Sequence, residues 1–131
     1  MSLEKHQILS DMIRLAMADN KIDQTEYDFI SAVAARLEVP QEEVEDLIQN
    51  PVPSGVFKTE LERITQFHRL VLLMNVDQET HVAEVDNLRN YGLKIGIRPE
   101  AIEQVFNEMG EYENKMIPND RLIEIFSRFY N

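Results

Sequence analysis

The chain has no cysteine. That removes a disulfide framework, a thiolate nucleophile and any cysteine-bound zinc in one step, and it leaves a reducing compartment unopposed. Glycine is scarce, four in 131 residues, and none of it forms a phosphate-cradling loop. The few serines stand in no Gly-x-Ser-x-Gly setting. Neither a His-Glu-x-x-His helix nor the Glu-x-x-His pair of di-iron bundles occurs. Catalysis has little to work with, so a protein that is not an enzyme is expected. No apolar run approaches a membrane span, and the N-terminus lacks the apolar region of a signal peptide. These features point to a soluble protein of the cytoplasm. Positive charge is short too: 13 Lys and Arg face 24 Asp and Glu, a net charge of −11. With no basic helix carrying interleaved aromatics, neither nucleic acid nor an anionic membrane is an expected partner. Twelve acids fall in residues 1–60 and twelve in 61–131. The surface is therefore acidic all round, which serves solubility and favours cations or basic partners.

What is present is helical periodicity. Leu9, Met12, Ile13, Ala16 and Met17 make a first apolar stripe. Asp23-x-x-Glu26 has capping-box spacing ahead of a second, Ile30, Val33, Ala34 and Leu37, which Val39-Pro40 ends. Val44, Leu47 and Ile48 carry a short third helix, and Asn50-Pro51-Val52-Pro53-Ser54-Gly55 is a loop. Thr59-x-x-Glu62 caps a fourth helix with Leu61, Ile64, His68 and Val71, widened by Phe67, Leu72 and Met74. Val85, Leu88, Tyr91 and Ile95 carry a fifth. Pro99 opens a sixth with Ile102, Val105, Phe106 and Met109, which Gly110 closes. The seventh starts near Pro118 and carries Leu122, Ile125, Phe126 and Phe129. No period-2 run competes, so the expected class is all-α with about seven helices.

The chain also contains itself twice. Residues 12–48 shifted by 58 fall on 70–106 without a gap, with Asp19 on Asp77, Glu26 on Glu84, Asp28 on Asp86, Glu42 on Glu100 and Glu45 on Glu103. Apolar positions match as well, among them Ile30 with Leu88, Val39 with Ile97 and Val44 with Ile102. Two copies are too few for a solenoid. The expectation is one domain, residues 1–131, in which two three-helix units pack face to face around one core.

Ala18-Asp19-Asn20-Lys21-Ile22, then Glu26, then a helix ending Leu37-Glu38-Val39-Pro40-Gln41-Glu42-Glu43, resembles the TerB-like family, named for a tellurite-resistance protein of bacterial stress operons. A related domain precedes the J-domain of some co-chaperones. The family's signature has glycine where Asn20 stands, and asparagine is the next most tolerant residue of a left-handed turn. The second copy keeps Asp77 and Glu84 but reads Val76-Asp77-Gln78. The resemblance spans residues 8 to 107. It implies an all-helical, acidic, cytoplasmic domain linked to stress response, with acidic clusters that bind metal ions or protein partners, and no established catalytic activity.

An EF-hand reading fails. Counted from Asp19, Lys21, Gln24 and Ile30 stand at positions 3, 6 and 12, where an oxygen ligand, glycine and glutamate are required. A second metal reading survives. If the copies pack about a pseudo-twofold, Asp19 and Glu26 approach Asp77 and Glu84, and His81, one turn from both acids of the second copy, adds a nitrogen suited to zinc or manganese. The plainer alternative makes Asp19 a partner of turn amides and Glu26 half of a capping box, with Glu84 in a salt bridge. His68, on an apolar stripe, reads as a hydrogen-bonded core residue. Glu42, Glu43, Glu45 and Asp46 read as acids placed by a helix dipole. Three functional expectations follow. The preferred one is a non-enzymatic interaction or divalent-metal-sensing module. Next comes a metal-free module that binds a protein or forms a homodimer through loop 50–58 and Phe126, Phe129 and Tyr130. Last is an acid/base enzyme using the same carboxylates.

Overall fold

Caps and breakers divide the chain where its periodicity does. The computed structural model describes residues 3–53, 55, 57–76 and 82–129. Among these lie seven α-helices and no strand: α1 (Leu3–Ala16), α2 (Gln24–Arg36), α3 (Gln41–Gln49), α4 (Glu60–Asn75), α5 (Val82–Lys94), α6 (Pro99–Met109) and α7 (Asn119–Phe129). Short 3-10 turns cover Met17–Asp19 and Glu113–Lys115. No helix among the described residues is long and apolar enough to cross a membrane.

The starts of the helices follow the sequence closely. Asp23 caps α2 in a complete capping box, Thr59 accepts the Glu62 N–H at 3.1 Å, and Pro99 takes the first turn of α6. The ends differ. Gly110 stands at the end of α6 but with φ −66°, a right-handed residue rather than the left-handed glycine cap expected. Among the described residues the left-handed positions are Asn20, Glu38, Gly96 and Lys115. Two stripe assignments are also corrected. Leu61 is 62% exposed on the outer face of α4, and Met17 leaves the α1 stripe for the 3-10 turn, where it is 38% exposed. Leu61 stands in the opening turn of α4, ahead of its first buried apolar residue Ile64, and Met17 lies past the end of α1.

Helices α1 and α4 pack together at the centre. Helix α2 lies on both of them, and so does α5. Helix α3 closes the first unit against α1 and α2, α6 packs on α5, and α7 packs against α4 and α6. The core joins Leu9, Met12 and Ile13 to Phe67, Leu70 and Val71, all buried. Burying each of these side chains stabilises the fold by about 1.5–3 kcal/mol before entropy is counted.

Residues 58 apart occupy matching places. Glu38 and Gly96 both take left-handed backbone after their helices, with φ 62° and 98°. The bonds around them match too: Val39 N–H donates to Ala34 O at 2.9 Å, and Ile97 N–H to Gly92 O at 2.9 Å. Gln66 Nε2 donates to the carbonyl of Ile8, its own counterpart, at 3.1 Å, a bond that lies where a twofold axis would pass. Core volumes trade between the units. Leu9, Ala34 and Val44 in the first stand where Phe67, Gly92 and Ile102 stand in the second. The fold is thus two three-helix units about one core, with α7 added to the second.

The unit-closing ties share some counterpart positions, Glu45 with Glu103 and Ser10 with His68, but neither partners nor chemistry. Tyr27 on α2 donates to Glu45 Oε1 on α3 at 2.5 Å, whereas Arg89 on α5 grips Glu103 on α6 with two bonds, 2.6 and 3.2 Å. Ser10 on α1 accepts Val52 N–H from the loop after α3, and its counterpart His68 on α4 binds Ile117 O from the connection after α6.

Candidate functional site

The site starts from a turn. Asn20 takes φ 74° and ψ 7°, its N–H donating to Met17 O at 2.8 Å, and so reverses the chain after the 3-10 turn. Asp23 then opens α2. Its Oδ1 accepts Glu26 N–H at 2.8 Å and the Thr25 hydroxyl at 2.8 Å, while Glu26 Oε1 accepts Asp23 N–H at 3.2 Å. The expected capping box is therefore present, and it draws Glu26 inward until only 4% of the residue is exposed. Glu84 holds the same third position of α5 and is 1% exposed. Two carboxylates at equivalent places are thus almost wholly removed from water. Burying an ionised carboxylate costs several kcal/mol unless donors, a cation or a proton compensate it.

Helix packing sets where these two acids lie. The Tyr91 hydroxyl, near the end of α5, donates to Asp11 Oδ2 at 2.6 Å. The Met17–Asp19 turn, about 9 Å further along the α1 direction at 1.5 Å per residue, also packs against α5. Only three residues of α5 follow Tyr91. The two helices therefore run antiparallel, and the turn ahead of α2 faces the opening turns of α5. Asp77 and His81 lie outside the described residues, as does the side chain of Asp19, whose backbone ends the 3-10 turn. Among the described residues no three His, Asp or Glu side chains gather into a metal-holding group.

The remaining candidates have structural work. His68 Nε2 binds Ile117 O at 3.1 Å, and burial holds its imidazole below the ordinary histidine value. Two of the four acids at the start of α3 reach other helices: Glu43 binds His6 Nε2 at 2.9 Å and Glu45 binds Tyr27. Phe126 lies edge-on to Phe67 at 6.0 Å and is fully buried, so it offers no surface for self-association. Phe129's side chain and Tyr130 lie outside the described residues. Loop 50–58 is fastened to α1 through Ser10 and Arg14, with Phe57 buried.

Sequence reasoning missed Asp11. Its side chain is 1% exposed and accepts from Arg14 Nη1 at 2.8 Å and from Tyr91. The signal was an acid three residues after Ile8 and four before Leu15, inside an apolar stripe. Burial, then Asp11, raises the Tyr91 phenol well above its ordinary value.

Comparison with known proteins gives one match. Residues 2–49 match the family model described as tellurite resistance protein TerB. The match ends on Gln49, the last residue of α3, and so coincides with the first unit. It is shorter than the span of 8–107 drawn from the motif, and the second unit, which lacks the Ala and Gly of the signature, falls outside it. No curated protein and no solved structure matches the chain.

Proposed function

Taking as premise that the chain is TerB-like, we propose that it is a non-catalytic binding module whose centre holds a divalent cation between the starts of α2 and α5. Glu26 and Glu84 supply the buried oxygen donors, and Asp19, Asp77 and His81 complete the set. The observation that carries the reading is the equivalence of Glu26 and Glu84: two acids 58 positions apart, at 4% and 1% exposure, each at the third position of its helix, with the Met17–Asp19 turn ahead of α2 packed against α5. The donor set suits hard cations such as magnesium, manganese or calcium, and the imidazole of His81 extends it to zinc. Cation loading would then set how firmly the two units are held together, and that is how a sensor would signal.

Calorimetric titration of the full chain with zinc, manganese, calcium and magnesium tests the reading. The key variant is Glu26→Gln with Glu84→Gln. Glutamine at the third helical position keeps the capping box and removes the charge. At least one metal is expected to bind the native chain tenfold or more tighter than the variant, and Asp19→Asn with Asp77→Asn should weaken it likewise. Identical heats for all three proteins would end the metal reading.

A further inference from the structure

The twofold relation places one cleft on each side of the central helices. Between α1 and α5 a cleft of about 270 Å³ is lined by Asp11, Arg14, Asn87, Asn90, Tyr91 and Lys94 together with Leu15 and Leu70. Between α2 and α4 a cleft of about 390 Å³ is lined, at the counterparts of the first six, by Arg69, Leu72, Phe29, Ala32, Val33 and Arg36. The two differ in the polar side chains they present. The first satisfies itself: Asp11 accepts from Arg14 and Tyr91, and Arg14 also donates to Val52 O. In the second, polar side chains are exchanged for apolar ones at four of the six places. Phe29, Val33 and Leu72 line it half-buried, extended by Leu37.

Its two cations are the unusual feature. In a chain with 24 acids, neither Arg36 nor Arg69 forms an ion pair with an acid among the described residues. Arg69 donates to the neutral Gln66 Oε1 at 2.9 Å. Its burial draws the guanidinium below its ordinary value, as desolvation of a cation does. A partly desolvated guanidinium beside apolar side chains attracts an anion more strongly than one in water.

We propose that the cleft between α2 and α4 binds a single-chain amphiphile with a carboxylate head, a ligand of the fatty-acid class. Its alkyl chain lies along Phe29, Val33, Leu37 and Leu72, and its carboxylate meets Arg36 and Arg69. Size favours a small ligand over a protein. The volume falls in the range of roughly 300–1,000 Å³ typical of small-molecule sites, whereas a stable protein interface takes about 20–30 residues a side. The site uses none of the residues of the proposed cation centre and stands or falls independently of it.

Methyl NMR on the full chain tests the proposal with decanoate, decanol and decyltrimethylammonium as probes, each below its micellar range. Decanoate should shift the methyls of Val33, Leu37 and Leu72 saturably and bind at least tenfold tighter than either other probe. Arg69→Gln should bring decanoate down to the level of decanol. Val33→Tyr, which installs the residue of the counterpart cleft, should abolish binding while circular dichroism stays native. Equal affinity for decanoate and decanol, shifts mapping to another surface, or no saturable shift would overturn the proposal. So would light scattering that shows a dimer covering these methyls. Because the shift map is read on the native chain, it decides the matter even if a variant fails to fold.

Discussion

Glu38 and Gly96 hold the same left-handed position in the two units, one with a side chain and one without. An L-residue pays about 1–2 kcal/mol for that backbone, part of which glycine returns through its freer unfolded chain. Glu38→Gly is therefore expected to leave stability unchanged or raise it by up to about 1 kcal/mol. Gly96→Ala, where an added Cβ comes no nearer than 3.9 Å to Arg63, should cost about 1–2 kcal/mol through backbone strain alone. Urea denaturation midpoints check both: only Gly96→Ala should lower the midpoint.

Gly92 tests the exchange of core volume between the units. A Cβ there would sit 2.8 Å from Ile102 Cδ1 and 2.9 Å from Phe67 Cε1, both on fully buried side chains. Ala34 fits at the counterpart because Leu9 is smaller than Phe67. Gly92→Ala is expected to destabilise by about 1–3 kcal/mol despite its better helix propensity. Adding Phe67→Leu should recover part of the loss in a double-mutant cycle.

Asp11 carries a buried charge shared by Arg14 and Tyr91. Arg14 is 39% exposed, so removing the acid leaves a cation that water still reaches. Asp11→Ala is expected to cost about 2–3 kcal/mol, below the roughly 3–5 of a pair buried at both ends. Tyr91→Phe should cost about 1–2 kcal/mol. In a spectrophotometric alkaline titration the Tyr91 phenol should ionise only as the protein unfolds.

Acid should weaken the fold in two windows. His68 has its folded-state value lowered by burial, so the unfolded chain takes up the proton first. Its contribution is complete above the unfolded value near 6.5 and is lost as pH falls through the folded one. Glu108, held below the ordinary carboxylate value by hydrogen bonds from Arg121 and then Gln104, contributes above about 4.5 and loses that contribution at lower pH. His68→Gln should flatten the upper window and leave the lower one in place, read as melting temperature against pH.

Much of the fold was legible because its signals are local. Apolar spacing and the capping residues Asp23, Thr59 and Pro99 fix most helix starts within a residue or two. Helix ends were harder to read. Neither the right-handed backbone of Gly110 nor the left-handed backbone of Glu38 follows from residue type, since tertiary packing decides both. Of the candidate site, the equivalence of Glu26 and Glu84 was legible in the repeat, but their burial was not, since packing decides it. Nor was Asp11, because a buried acid is recognised by its partners, and Tyr91 comes 80 positions later. The contrast between the two clefts was equally hidden, since it exists only once α2 is laid on α4 and α5 on α1.

The proposed cation centre between the starts of α2 and α5 is tested most directly by manganese itself. Titrated into the isotope-labelled chain, Mn²⁺ should broaden amide signals first around residues 17–26 and 82–86, at concentrations that leave the acidic turn 42–46 sharp. Broadening that begins at 42–46, or that spreads evenly over the acidic surface, would contradict it.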